Sequence, residues 1–221
     1  MARAALLLWA SSLAALPASA SVTTYTNSAA FAAAATGLTV ETYATGTSGQ
    51  AIPGGSTFNG LTYAFATGSN PFATLLGGVL TPNFNSVSGL SLGGTQSTGQ
   101  DFFFGGNTVT VTFPVAVTAV GVLFNVNLNS GNYTLSSGVG SVSNNSSVYD
   151  TGTFVFDGLI STTPFTSVTL ASTNALLGSF NIPEIEFLAQ AVPEPGSVAL
   201  LGLGAAIMAL ARKRQMKACK V

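Results

Sequence analysis

The long central part of this sequence lacks every basic side chain. All six lysines and arginines lie near the two ends of the chain, and there is no histidine. The region from Ser21 to Val192 therefore carries six carboxylates and no cation, a formal charge of −6, whereas the whole chain has a net charge of −1. Without cations this region offers no phosphate-binding cluster and no groove for nucleic acid.

Cysteine and tryptophan are missing from the same region, since the one cysteine is Cys219 and the one tryptophan is Trp9. Without His or Cys, a Ser-His-Asp triad, a thiol nucleophile and the usual zinc sites are excluded. No disulfide can stabilise the fold, so a hydrophobic core must hold it together, and the region is long enough to form one. A buried carboxylate in this region can be neutralised by a proton or by a metal ion.

The first twenty residues have the pattern of an export signal. Arg3 supplies positive charge, the segment from Ala4 to Leu16 is mostly apolar, and Ala18-Ser19-Ala20 is a small-residue cleavage site. We expect residues 1–20 to be a signal peptide and the mature chain to begin at Ser21.

Three features follow one another at the other end of the sequence. They are the motif Pro193-Glu194-Pro195, a Gly/Ala/Leu-rich run over about 197–211, and the basic cluster Arg212-Lys213-Arg214. Because proline disfavours helix, a helix can begin only after the motif. It would be about 24 Å long, a marginal span for a hydrocarbon core about 30 Å thick. The positive charge predicts that the basic tail, residues 212–221, stays in the cytoplasm.

Together these features resemble the PEP-CTERM sorting signal of Gram-negative bacteria, over residues 191–221. The resemblance implies recognition by an exosortase, a membrane-embedded protease-transpeptidase that cuts near the motif after a transient stay in the inner membrane. It also implies a final location at the cell surface or outside the cell. The alternative is an ordinary membrane anchor, but an anchor needs no Pro-Glu-Pro and is usually longer.

The region between the two ends has the pattern of an all-β domain. The segment from Asn107 to Phe113 alternates strictly, and Pro114 is expected to end it. The apolar run from Val117 to Leu128 predicts a central strand, with Gly121 as a bulge position. Asn59-Gly60 favours a type I′ hairpin turn.

One short helix is predicted near the start of this region. The segment from Ala29 to Ala35 is alanine-rich, and Asn27 or Ser28 can cap it. For residues 21–190 we therefore predict a single antiparallel β-sandwich or jelly-roll of about ten strands with one short N-terminal helix. A C-terminal transmembrane helix would follow the domain.

Segments of this region also resemble domains of other PEP-CTERM proteins, which are similar in shape to carbohydrate-binding jelly-rolls. The matching segments run from Ala30 to Ala34, from Val40 to Tyr43, from Asn59 to Tyr63 and from Pro114 to Gly121. The last strand of the relatives often reads Ile-Asp-Asn-aliphatic. This chain instead has Ile182-Pro183-Glu184-Ile185, so the acidic residue is displaced.

Three carboxylates could meet in such a sandwich. Glu41 lies in an early predicted strand, and Glu184 and Glu186 lie in the last one. The first and last strands of jelly-rolls often lie side by side, so the three could bind Ca²⁺ with backbone carbonyls completing the shell. The alternative is that they are solvated charges at strand edges.

The remaining acidic residues are predicted to have local roles. Asp150 lies two residues before Gly152 and Asp157 directly precedes Gly158, which is typical of turn residues, and Asp101 is expected in a loop. Two carboxylates could serve a glycosidase, but the region has no Arg, Lys, His or Trp to orient a sugar.

The sequence therefore favours an exported, acidic, non-catalytic surface or extracellular-matrix protein, with a role in biofilm, adhesion or the exopolysaccharide matrix. The alternative is a lectin-like module that binds extracellular polysaccharide, with calcium as a candidate cofactor. Its sugar contacts would come from tyrosines, because tryptophan is absent. These are Tyr25, Tyr43, Tyr63, Tyr133 and Tyr149.

Overall fold

The computed structural model describes residues 21–68, 73–83, 88–127, 131–146, 153–173, 178–190 and 208. The predicted signal peptide, the Pro193-Glu194-Pro195 motif, the Arg212-Lys213-Arg214 cluster and Asp150 lie outside these residues. Of the predicted membrane helix at about 197–211, only Met208 is described, and it is helical and exposed. In the described ranges, no helix is long and apolar enough to cross a membrane.

The described residues form one short helix and thirteen strands, all paired antiparallel. In chain order the elements are β1 (Val22–Tyr25), α1 (Ser28–Ala34), β2 (Thr39–Glu41), β3 (Ala51–Ile52), β4 (Thr57–Phe58), β5 (Leu61–Ala66), β6 (Leu75–Pro82), β7 (Leu90–Gln96), β8 (Phe103–Phe104), β9 (Thr108–Asn127), β10 (Gly131–Ser137), β11 (Ser141–Ser146), β12 (Thr153–Ser172) and β13 (Ser179–Ala189). The predicted all-β class and the single early helix are confirmed.

Two long strands, β9 and β12, form the centre of the fold. They have 20 residues each and pair with one another along almost their whole length. On its edge away from β12, β9 pairs with β5 along its first half and with β13 along its second half. On its edge away from β9, β12 pairs with β1 and β10. Register shifts between Ile160 and Ser167 interrupt the central pair. Because such irregularities bend strands, both halves of the pair can contribute to one core.

The other strands extend this central arrangement. Strand β11 pairs with β10, β4 with β5, and both β2 and β8 with β13. Strands β3, β6 and β7 form a small sheet, which joins β13 at one residue pair, Leu92 of β7 and Ile182 of β13.

The predicted strand end at Pro114 is wrong, because β9 continues through this residue to Asn127. Pairing of β9 with β5 and β12 is regular up to Thr112. At Val117, β9 pairs with β12 again and also with β13. Pro114 therefore lies where the ladder is irregular and requires no backbone donor, which makes proline acceptable inside a long strand.

The predicted bulge at Gly121 is also wrong. Gly121 pairs regularly with Gly158 of β12. A Cβ atom on Gly121 would lie 2.8 Å from a ring atom of Phe31 and 2.7 Å from one of Phe156. The glycine pair is thus needed because two phenylalanine rings approach the backbone there.

Helix α1 begins at the predicted cap. The Asn27 side chain accepts a hydrogen bond from the backbone N–H of Ala30 at 2.9 Å, which satisfies one amide of the first turn. Phe31 is the buried residue of the helix, and its ring centroid lies 5.8 Å from that of Tyr25 and 5.5 Å from that of Phe156. The helix is therefore attached to the sheet mainly by one aromatic side chain.

The sheet formed by β12, β9 and β13 has two apolar faces. One face, the core face, contributes to a large cluster that includes Val120, Val122 and Phe180. The opposite face carries a smaller cluster under α1, which includes Phe31 and Phe156, and we call it the helix face. Because side chains alternate along a strand, this division assigns each residue of the three strands to a face.

Candidate functional site

Asp157 is a buried strand residue, and its predicted place in a turn is wrong. It lies in β12 opposite Val122, and its side chain is fully buried. Val155 and Leu159, which lie two positions away on either side, belong to the main core. The carboxyl group therefore lies on the core face.

Among the residues that the structure describes, the Asp157 carboxyl group has no hydrogen-bond partner at either oxygen. Burial raises its pKa from 3.8 to about 7, because the loss of hydration disfavours the charged form. The region from Ser21 to Val192 has no cation that could offset this loss. Ionisation of Asp157 therefore lowers the stability of the folded protein.

Glu41 has a structural contact at the end of β2. Tyr43 has a φ of +58°, a left-handed conformation that bulky residues rarely adopt. A carboxylate oxygen of Glu41 accepts a hydrogen bond from the buried backbone N–H of Tyr43. This bond holds the Tyr43 ring in the core, where its centroid lies 6.5 Å from that of Tyr63.

Strand β2 lies beside β13, but Glu41 does not join the other two candidate calcium ligands. Glu41 is opposite Ile185, which is a core residue. Glu186 is opposite Gly121, and Glu184 is opposite Leu123, both on the helix face. Within the described ranges no three Asp, Glu, His or Cys side chains form a group that could hold a metal ion. Calcium binding by these three residues stays a prediction. Glu41 lies on the core face of the sheet, whereas Glu184 and Glu186 lie on the helix face.

Glu184 and Glu186 lie next to one another on the helix face of β13. Glu186 is only 8% exposed. Burial, and secondly the neighbouring Glu184 carboxyl, raise the pKa of Glu186 to about 7. The protonated form of Glu186 is therefore favoured far more than that of an exposed glutamate.

Glu184 also lines a pocket of about 200 Å³, which we call the Glu184 pocket. The pocket lies where β13 changes partners, because pairing with β7 occurs at Ile182 and pairing with β2 is recorded from Ile185 onward. The register of β13 against β9 also shifts between Asn181 and Glu184. Pro183 lies in this irregular segment, where its missing N–H is tolerated.

The wall of the pocket combines polar groups with an aromatic ring. Thr42, Asn83 and Ser88 line one part, and Leu123 and Phe154 line another. The Asn83 side-chain nitrogen donates a hydrogen bond to the Ser88 carbonyl at 3.2 Å, whereas its Oδ1 is buried and has no partner among the described residues. Phe154 is 39% exposed. The pocket therefore offers hydrogen-bond acceptors and an accessible apolar surface side by side.

Two buried amides, Asn125 and Asn181, lie near this pocket on the helix face. They are opposite one another in β9 and β13, and both are fully buried. None of their four side-chain polar atoms has a hydrogen-bond partner within the described part of the chain. Each unpaired buried polar group costs about 1–3 kcal/mol, so the pair opposes folding. Sequence reasoning missed them because asparagine is more typical of turns than of strand interiors.

The tyrosines considered for sugar binding are mostly structural. Tyr43, Tyr63 and Tyr133 are fully buried. Burial raises the pKa of Tyr133 to about 12 and raises the pKa values of the other two as well. Tyr25 packs on the helix, and Tyr149 lies outside the described residues. Among the aromatic side chains whose exposure is described, Phe154 is the exposed one.

The fold and the sequence thus define an acidic β domain followed by a tail of distinctive composition. Residues 191–215 of this tail match the family model of the PEP-CTERM protein-sorting motif. The match includes the Pro193-Glu194-Pro195 motif and the Arg212-Lys213-Arg214 cluster, so the resemblance is confirmed. The motif indicates export and a membrane-anchored C-terminal sorting signal, and it implies recognition by an exosortase. No curated protein matches the chain.

Two solved structures show weak similarity to the β domain. The catalytic unit of a thermostable GH87 α-1,3-glucanase from Streptomyces thermodiastaticus strain HF3-3 shares 16% identity over 62% of this chain and 28% of that chain, with a TM-score of 0.31. The isomalto-dextranase of Arthrobacter globiformis T6, complexed with panose, shares 20% identity over 60% of this chain and 24% of that chain, with a TM-score of 0.33. The match spans about a quarter of each of these proteins, and at these TM-scores it supports no conclusion about activity.

Proposed function

We propose that this protein is an exported, non-catalytic component of the cell surface or extracellular matrix, and that an exosortase processes its C-terminal segment. The observation that carries the proposal is the PEP-CTERM protein-sorting motif at residues 191–215, which begins just after β13 ends at Ala189. Cleavage near Pro193-Glu194-Pro195 would separate the folded β domain from the apolar run and the basic cluster.

The composition of the β domain supports a role in a hydrated matrix. The region from Ser21 to Val192 has a formal charge of −6 and no cation. Without a cation the domain has no electrostatic attraction to nucleic acid or to anionic membranes. We place the protein in biofilm, adhesion or the exopolysaccharide matrix on this basis.

The distribution of carboxylates supports a non-catalytic role. Asp157 is enclosed in the core, and Glu41 is bonded to a buried backbone N–H. A glycosidase needs two carboxyl groups that flank the scissile bond. Among the residues that line the Glu184 pocket, Glu184 is the single carboxylate, so this pocket lacks the second group.

Replacing the three residues of the sorting motif tests the proposal. We expect the combined variant Pro193→Ala, Glu194→Ala and Pro195→Ala to accumulate as the unprocessed chain in the inner membrane. The parent protein should appear shortened in the surface and medium fractions. Pro82→Ala is a matched control, because Pro82 is an exposed proline at the end of β6, and it should sort as the parent does. Equal release of the motif variant and the parent would contradict the proposal.

A further inference from the structure

The charges of the Glu184 pocket restrict the ligands that it could hold. Its wall carries the Glu184 carboxylate, and the region from Ser21 to Val192 contains no cation. An anionic ligand would have to approach a carboxylate without any compensating positive charge, which is unfavourable in a partly desolvated site. The ligand is therefore neutral or cationic.

The hydrogen-bonding groups of the pocket favour a ligand that donates. Glu184 is an acceptor in the wall of the pocket. The hydroxyl groups of Thr42 and Ser88 can both donate and accept. A molecule with several hydroxyl groups can meet all of these groups, since each hydroxyl also donates and accepts.

The apolar part of the wall distinguishes a polyhydroxyl ligand from a metal ion. Phe154 presents a ring that is 39% exposed, and Leu123 lies in the same wall. A calcium ion takes six to eight oxygen ligands and gains nothing from an aromatic ring. The C–H face of a sugar ring gains by packing on such a ring, because aromatic side chains provide large apolar contact area.

The size of the pocket fits one ring of this kind. A volume of about 200 Å³ corresponds to about six or seven water molecules at about 30 Å³ each. It is smaller than the roughly 300–1,000 Å³ that drug-sized ligands occupy. The site can therefore accommodate one sugar residue, such as the end of a chain or a branch.

We propose that the Glu184 pocket binds a single neutral sugar residue. Phe154 packs against the face of the sugar ring, and Glu184 accepts hydrogen bonds from its hydroxyl groups. This site lies in the β domain and goes beyond the sorting function, so it does not depend on whether the tail is processed.

Calorimetric titration of the purified full chain, in a detergent without sugar headgroups, tests this proposal. The probes are D-glucose, D-galactose, D-mannose, N-acetyl-D-glucosamine and the neutral disaccharides of glucose, with D-glucuronate as the anionic counterpart. We expect at least one neutral sugar to bind saturably with a millimolar Kd, and we expect D-glucuronate to bind much more weakly. Addition of EDTA should leave the Kd unchanged.

Variants locate the binding in the pocket. Phe154→Ala should raise the Kd about tenfold, which corresponds to the loss of one aromatic contact, and Glu184→Ala should also raise it. Val115→Ala is the matched control, because Val115 is an exposed apolar residue of β9 that does not line the pocket, and its Kd should equal that of the parent. Circular dichroism checks that each variant is folded.

Four outcomes would overturn the proposal. They are the absence of saturable binding to every neutral sugar, equal affinity for glucuronate and glucose, loss of binding in EDTA, and a Phe154→Ala variant that binds as the parent does. Loss in EDTA would show that a metal ion is part of the site. None of these results bears on the sorting motif, so failure of the binding proposal and failure of the sorting proposal are distinguishable.

Discussion

The buried carboxyl group of Asp157 predicts an unusual dependence of stability on pH. Its pKa is about 7 in the folded protein and 3.8 when it is exposed. Between these two values the folded state keeps a proton that the unfolded state has released. The free energy of unfolding therefore falls as the pH rises from about 4 to about 7, and it levels off above that range.

The size of this effect follows from the pKa difference. One pKa unit corresponds to about 1.4 kcal/mol, so a shift of about three units lowers the stability by about 4 kcal/mol between pH 4 and pH 8. This is a large share of the roughly 5–15 kcal/mol that holds a typical domain folded. The substitution Asp157→Asn keeps the shape of the side chain and removes its charge. The variant should equal the parent near pH 4 and exceed its stability by up to about 4 kcal/mol at pH 8.

Urea unfolding followed by circular dichroism at several pH values between 4 and 8 measures this difference. Glu186 contributes with the same sign, because its pKa is also raised to about 7. The stability of Asp157→Asn should therefore depend less on pH than that of the parent. The stability of the double variant Asp157→Asn and Glu186→Gln should depend on pH still less. Asp101→Asn is the matched control, since Asp101 is exposed, and its pH dependence should follow the parent.

Two results would contradict this role of Asp157. The first is a parent protein whose stability is constant or rises between pH 4 and pH 8. The second is an Asp157→Asn variant with the same slope as the parent, which would show that the carboxyl group is solvated or bonded in the folded protein.

Three further sets of substitutions test other parts of the structure by urea unfolding at a fixed pH. Gly121→Ala should cost about 1–3 kcal/mol, because its Cβ would lie within 2.8 Å of two phenylalanine rings, whereas Gly138→Ala, with no atom within 4 Å, should change stability by less than about 0.5 kcal/mol. Equal changes in stability at the two glycines would show that the Phe31 and Phe156 rings move aside at little cost. Glu41→Ala should cost about 1–3 kcal/mol by leaving a buried N–H without its acceptor, and Glu41→Gln should cost less, so the reverse order would contradict this role. The double variant Asn125→Leu and Asn181→Leu should be at least as stable as the parent, because it removes four unpaired polar atoms, and a clear loss of stability would indicate that these amides are bonded to water.

The helix cap and the hairpin turn could be predicted from the sequence, because residues a few positions apart determine them. Asn27 caps the helix as predicted, since the cap requires only its own side chain and the first turn. Asn59 and Gly60 have φ values of +48° and +84°, as a type I′ turn requires, and Phe58 and Leu61 pair around them. These features depend on residues a few positions apart.

The same type of dipeptide was misread at Asp157 and Gly158 because its environment is set by distant residues. Gly158 lies beneath the Phe31 ring, which comes from a helix more than a hundred residues earlier. The glycine thus makes room for packing, and no turn forms. An Asp-Gly pair does not reveal this difference without knowledge of the fold.

The candidate sites were only partly predictable for a related reason. The sequence placed Glu41 near the last strand, and the strands do pair. It could not determine the face, because a shift of register by one residue exchanges the two faces of a strand. The Glu184 pocket depends on β13 changing partners around Pro183, and no periodicity in the sequence indicates such a change.

The intact mass of the endogenous protein shows whether the sorting motif is used. Mass spectrometry of the surface and medium fractions, with mapping of the C-terminal peptide, would identify the last residue. We expect a chain that ends near Pro193-Glu194-Pro195 and lacks Arg212-Lys213-Arg214, with or without an added group. A chain that extends to Val221 and is found only in the inner membrane would contradict this expectation.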